Sequence, residues 1–162
     1  MVELSDFKDI SPKPLPASYS ADQITAGLPI SKTARITLFS EGEWEAFVEE
    51  WASSLKGKYF TVKRFSGAGD KGIDVAGFLT DTTFSGRWNN YQCKHYRSPL
   101  RPSDIWLEIG KVVYYSFIKE YTVPNRYYFL SPKGFGTTVT RLLSTPATLR
   151  SRFLEVWDEH CR

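Results

Sequence analysis

The chain is short of the residues that build thiolate-metal or disulfide sites. Among 162 residues there are two cysteines, Cys93 and Cys161, and two histidines. The cysteines stand far apart with no CxxC pair and no histidine cluster, which argues against a zinc site and against a disulfide framework. Buried thiols in a reducing cytosol are the simpler expectation. No apolar run approaches the roughly 18 residues needed to cross a bilayer, and the start, MVELSDFKDI, mixes acids among its apolar residues. Membrane insertion and secretion both lack support, so the expected location is the cytoplasm. Internal repeats and low-complexity tracts are also missing. An excess of one charge is missing too: the formal net charge is +3 and the pI is near 8.8. A nucleic-acid partner must therefore be argued from where the cations sit.

What is present suits one globular domain, since 41% of the residues are hydrophobic. Pro12, Pro14, Pro16 and Pro29 interrupt every apolar period near the start, so residues 1–39 are expected to form a largely irregular N-terminal arm and 40–162 the folded domain. That arm reads equally as a drape or oligomer contact and as an unstructured leader. Ser40 and Glu43 make a capping box, and Trp44, Phe47, Val48, Trp51 and Leu55 then recur at helical spacing up to Gly57, a left-handed cap. Glu45 flanks this stripe, where a glutamate is ordinarily just solvated.

Tyr59–Phe65 has strand composition. Gly67, Gly69 and Gly72 formally satisfy GxGxxG, yet IDVAGFL follows where a dinucleotide site needs a helix, so the glycines are read as a tight turn. A strand opening with Asp74, a polar hairpin and a strand over Arg87–Tyr96 come next. Pro99 and Pro102 break the chain, and Ser103 is the expected N-cap of a helix marked by Trp106, Ile109, Val113 and Phe117 and running to about Tyr121. Residues 126–131 read as a strand buried on both faces, followed by helices over Thr137–Leu143 and Pro146–Cys161.

The stretch GAGDKGIDVAGFLTDTTFSGRWNNYQCKHY, residues 67–96, is the one the rest is built around. Side chains alternate along a strand, so Gln92 and Lys94 share one face while Cys93 points to the other. A carboxylate from Asp74, a carboxamide oxygen and an ammonium then converge at one end of a hairpin, a set that suits a hard cation beside a phosphate. Plainer readings exist: Asp70 and Asp74 also suit turns, and Lys94 suits an exposed strand position. Lys71, Lys94, Arg97 and Arg101 gather around this stretch, either as a hold on a polyanion or as a solvated face. Trp88, Tyr91 and Tyr96 suit base stacking or the core, and His95 suits packing or a phosphate contact.

With Glu45 ahead of it, the set of Asp74, Gln92 and Lys94 resembles the PD-(D/E)XK nuclease superfamily, and within it the Mrr-type restriction endonucleases that carry glutamine in a QxK motif. The WE pair of the first helix, GAGDKGIDV, YQCKHY, RSPLRPSD and YYFLSP carry the resemblance over about residues 40–135. It implies an α/β (α+β) fold with a restriction-endonuclease-like core, a mixed central sheet flanked by helices in the order α-β-β-β-α-β. It implies a metal-dependent DNA endonuclease, the effector of a restriction or antiphage system. Asp74, Gln92, the backbone carbonyl of Cys93 and Glu45, directly or through water, would hold Mg²⁺, with Mn²⁺ able to substitute, and Lys94 would complete the catalytic set. Lys71, Arg97 and Arg101 would contact nucleic acid. Two rivals are a catalytically inactive nuclease-fold DNA-binding module and a nuclease of RNA or branched DNA. No DNA-reading module is recognisable, so the chain is expected to be a fragment of a larger protein or to take its specificity from a partner; a homo-oligomer is also compatible.

Overall fold

The computed structural model describes residues 30–161 except Ser66, Ala68 and Asp70. The expectations for residues 1–29 and for Asp70 lie outside the described residues. Among them are six α-helices and one mixed four-stranded sheet. The helices are α1 (Lys32–Ile36), α2 (Glu41–Ser54), α3 (Ser103–Phe117), α4 (Thr137–Ser144), α5 (Pro146–Glu155) and α6 (Trp157–His160). The strands are β1 (Thr61–Arg64), β2 (Val75–Phe78), β3 (Trp88–Cys93) and β4 (Arg126–Leu130), and they lie side by side in chain order. β1, β2 and β3 run antiparallel in turn, and β4 joins β3 in parallel after the α3 crossover.

Helix α2 begins where its capping box places it: the Ser40 hydroxyl accepts from the Glu43 amide while the Glu43 carboxylate accepts from the Ser40 amide at 2.7 Å. The buried side of α2 is Trp44, Val48, Glu49 and Ala52, so Phe47 and Trp51, expected inside, stand at an exposed margin. The stripe is turned because Glu49 takes an inward position opposite Arg64 of β1. Residues 30–39, expected to be irregular, hold α1. Ser31 caps it by accepting from Ala34, and Ile36 and Phe39 pack on the cluster beneath α2. Gly57 has φ of 72°, in the left-handed region, but in the turn beyond the helix end rather than at its cap.

The sheet separates two apolar layers. Tyr91, Cys93 and Val75 face α2, with Tyr59, Val62 and Tyr128 partly buried beside them. Ala76, Phe78 and Trp88 face the other way, against Phe84 and Tyr121. Leu100, Ile105, Trp106 and Phe129 continue that second layer under α4 and α5 through Val139, Leu142 and Phe153. Phe84 sits in a 3₁₀ turn over Thr83–Ser85, so the segment expected to be a plain polar hairpin supplies a core residue.

Four further expectations are corrected. The residue capping α3 is Pro102, without a side-chain bond, and Ser103 is already helical; the Asp104 carboxylate instead accepts the Arg101 amide at 2.6 Å. The inward residues of α3 are Ile105, Trp106, Glu108, Gly110 and Val112, whereas Phe117 is 83% exposed. Strand β4 is not buried on both faces; only Phe129 is, because β4 is the sheet edge and the doubly covered strands are β2 and β3. The last helix is interrupted at Val156 into α5 and α6.

Candidate active site

Asp74 directly precedes β2, and its position follows from the ladder on either side. The Phe65 amide donates to the Asp74 carbonyl at 2.8 Å, which carries the β1–β2 pairing one residue past Val75. In the β2–β3 register Val75 faces Tyr91, so Asp74 falls opposite Gln92, and directly opposed residues put their side chains on one face. Gln92 Nε2 donates to Asp74 Oδ2 at 2.7 Å, and the Cys93 amide donates to the same oxygen at 2.6 Å. Gln92 Oε1 faces the other way and accepts from the Tyr127 hydroxyl at 3.2 Å. Upstream, Asn90 Nδ2 donates to the carbonyl of Gly72, whose φ of 79° suits glycine, and so ties the turn to β3.

Asp74, Gln92, Cys93 and Lys94 line a single pocket of about 200 Å³ together with Glu45. Glu45 arrives from α2, which Arg64 fastens to the sheet: Arg64 Nη1 donates to the Gly42 carbonyl at 2.9 Å and Nε lies 3.7 Å from Glu49. Gly42, Glu45 and Glu49 are spaced three and four residues apart, so Arg64 reaches along the helix face that carries Glu45. Glu41, Trp44, His95, Tyr96 and Glu108 complete the lining.

Glu108 is the residue that strand-based reasoning misses. It reaches from α3 to Lys94, whose Nζ donates to Glu108 Oε1 at 2.6 Å, while Lys111 Nζ lies 3.1 Å from Oε2. Burial pulls the Lys94 ammonium down, but the hydrogen bond and charge of Glu108, with Tyr96 and Asp74, outweigh it and hold the pKa above the usual lysine value. Burial likewise pushes Glu108 up, and Lys94, then Lys111, more than reverse it. Both partners are therefore charged near neutral pH. A sequence signal for Glu108 does exist: an acid at the spacing of Ile105 and Val112, on the stripe that the helix buries.

Not every expected residue arrives at this pocket. Lys71 pairs with Glu120 at 2.9 Å and is absent from the lining; Arg97 is exposed, and Arg101, 74% exposed in its side chain, lies 3.8 Å from Asp104. Of the four expected cations only Lys94 lines the pocket. Trp88 and Tyr91 are fully buried in the two layers, which removes them as base-stacking platforms, and Tyr96 remains half-exposed at the pocket. His95 Nε2 lies 2.9 Å from the Ile36 carbonyl, and its ring sits 6.3 Å from Trp44, a packing role that holds α1. Burial first, then the charges of Asp74 and Glu45, push the Cys93 thiol well above its usual range, so it stays protonated and is no nucleophile.

No family model, curated protein or solved structure matches the chain. The chemistry of the site therefore has to be argued from its own donors. Among the described residues no three His, Cys, Asp or Glu side chains group into a ligand set for an ion. The oxygens that the expected ligands offer are the carboxylates of Asp74 and Glu45 and the carbonyl of Cys93. In an extended strand the N–H and C=O of one residue point toward the same neighbour, and the Cys93 amide points at Asp74, so its carbonyl lies on that side too. Among the described residues the charge balance favours a cation: Glu41, Glu45, Asp74 and Glu108 line the pocket against Lys94 alone, His95 aside. These donors fit a hard divalent ion. Gln92 offers its amide nitrogen to Asp74 as it stands, and to present Oε1 its carboxamide has to turn over, giving up the Nε2 bond to Asp74 while the Tyr127 hydroxyl accepts from the turned nitrogen.

Proposed function

We propose that this chain is a metal-dependent DNA endonuclease domain with a restriction-endonuclease-like core, an effector nuclease of a restriction or antiphage system acting in the cytoplasm. The observation that carries this reading is the convergence of Glu45, Asp74, Gln92, Cys93 and Lys94 on one pocket whose carboxylates outnumber its ammonium. Such a pocket repels a phosphodiester by itself and accepts one only beside a divalent cation. Asp74 and Glu45, with the Cys93 carbonyl and a turned Gln92, would hold Mg²⁺ or Mn²⁺. When bound, that ion supplies Lewis-acid polarisation of the phosphoryl oxygen and of an attacking water.

The chain's own residues divide the remaining work. Lys94, charged and oriented by Glu108, offsets negative charge that builds on the phosphoryl oxygens, an interaction stronger in the transition state than in the ground state. Trp44 and Tyr96 wall the pocket and limit water, and Arg97 and Arg101, exposed on the segment between β3 and α3, supply backbone contacts to the polyanion. Target choice comes from a further domain or a partner protein.

One observation favours the rival reading of an inactive DNA-binding module. Asp74 Oδ2 already accepts two hydrogen bonds and Gln92 shows it a nitrogen, so the site is internally satisfied. Incubating the chain with supercoiled, linear and single-stranded DNA, and with RNA, under Mg²⁺, Mn²⁺ or EDTA separates these readings. Cleavage of DNA that EDTA stops and that Asp74→Ala lacks supports the nuclease. DNA binding without cleavage under either ion supports the module, and cleavage confined to RNA moves the substrate class.

A further inference from the structure

Lys94 shares its pocket with four carboxylates, Glu41, Glu45, Asp74 and Glu108, and an ammonium on a flexible four-carbon stem settles on whichever is best held. Asp74 lies within electrostatic reach of it. Yet the ammonium bonds Glu108 at 2.6 Å. Glu108 is well built as the stronger anchor, because its other oxygen faces Lys111 one turn along the same helix at 3.1 Å and its side chain is only 8% exposed. Stability gives little reason for this arrangement, since desolvating a buried ion pair commonly costs as much as the attraction returns. What the pairing does decide is which carboxylate holds the ammonium.

We propose that Glu108 is a positioning residue that draws the Lys94 ammonium away from Asp74 and so leaves the Asp74 carboxylate for a divalent cation. The inference rests on the cation-binding reading of the pocket. Without the Glu108 charge, Lys94 swings to the next carboxylate on its own strand face, and an Asp74 neutralised by lysine competes poorly for a metal. Glu108 thus acts from α3 through Lys94 and is not itself one of the proposed ligands.

The test is titration of the full chain with Mn²⁺, followed by calorimetry, for wild type, Glu108→Gln and the double variant Glu108→Gln/Lys94→Met. Glu108→Gln is expected to raise the Mn²⁺ Kd at least about tenfold, which corresponds to about 1.4 kcal/mol. Removing the displaced ammonium in the double variant is expected to bring the Kd back to within about twofold of wild type, a rescue that general loosening of the pocket would not give. A crystal structure of metal-free Glu108→Gln should show Lys94 Nζ on Asp74. If Glu108→Gln does not fold, Glu108→Asp, which sets the charge one methylene farther from Lys94, is expected to raise the Kd by a smaller factor. An unchanged Kd in the single variant, a loss that the double variant does not restore, or a Lys94 that stays off Asp74 each overturns the proposal while leaving the nuclease reading in place. Absence of Mn²⁺ binding in the wild type overturns the cation site itself and this inference with it.

Discussion

Replacing Lys94 with methionine tests the ion pair at the site most directly, because it keeps an unbranched apolar stem as far as the ε position and removes the ammonium that bonds Glu108. In the folded chain the side chains of Lys94 and Glu108 are 14% and 8% exposed and 2.6 Å apart. Breaking a buried pair by deleting one partner costs about 3–5 kcal/mol when nothing else compensates. Here Lys111 remains 3.1 Å from Glu108 and is itself a third exposed, so part of that cost is recovered. The expected loss is about 2–3 kcal/mol, which at roughly 3 °C per kcal/mol for a chain of this size lowers Tm by about 6–9 °C.

The pH dependence of that loss has a definite sign. Glu108 is held below its ordinary value, so its contribution is present above the unfolded carboxyl pKa of about 4.3 and fades as pH falls through the lower folded value. Lys94 is held above its ordinary value, so its contribution is full below about 10.4 and fades as pH rises through the higher folded value. The gap in Tm between wild type and Lys94→Met should therefore be widest between about pH 5 and 10 and close on both sides. Differential scanning calorimetry across that range is the assay. A Tm loss under about 3 °C at pH 7, or a gap independent of pH, would refute the buried, charged pair.

Other perturbations follow from the same geometry. Gln92→Glu restores a second carboxylate opposite Asp74 and should lower the Mn²⁺ Kd in calorimetry; a raised Kd would remove Gln92 from the ligand set. Replacing Arg97 and Arg101 by glutamine should reduce the slope of log K against log salt for duplex DNA by about 2, since each phosphate contact contributes roughly 0.9; an unchanged slope returns both to the solvated face. Gly77→Ala should destabilise by about 1–3 kcal/mol, because a Cβ there would stand 2.6 Å from the Tyr59 ring, and urea denaturation reads the result. Equal midpoints for the two proteins would mean that the ring shifts freely.

Much of the site was legible because it is local. Strand alternation and a short hairpin suffice to bring Asp74, Gln92 and Lys94 to one face, and both are written in a thirty-residue stretch. The capping box of α2 was legible for the same reason. What was not legible depends on which elements meet. Glu108 reaches Lys94 only because α3 crosses the end of β3, and no spacing rule encodes that crossing. The expected inward face of α2 was turned by Arg64 of another strand, which gives Glu49 a buried partner. Strand β4 has the composition of a doubly covered strand, but sheet order, which composition does not reveal, put it at an edge. Lys71 is near the turn in sequence yet is drawn to Glu120, so closeness along a loop was a poor guide to closeness in space.

The most direct test of the central claim is the single-turnover rate of DNA cleavage by Asp74→Asn against wild type in matched Mg²⁺. Asparagine keeps the shape of a side chain that is 8% exposed and accepts from Gln92 and Cys93, so the fold should survive and only the charge is lost. Cleavage by the wild type with a fall of at least about 10²-fold in the variant is the expected result, the order seen when one electrostatic contact is removed from an active site. Equal rates in the two proteins, or no metal-dependent cleavage by the wild type on any DNA, would contradict it.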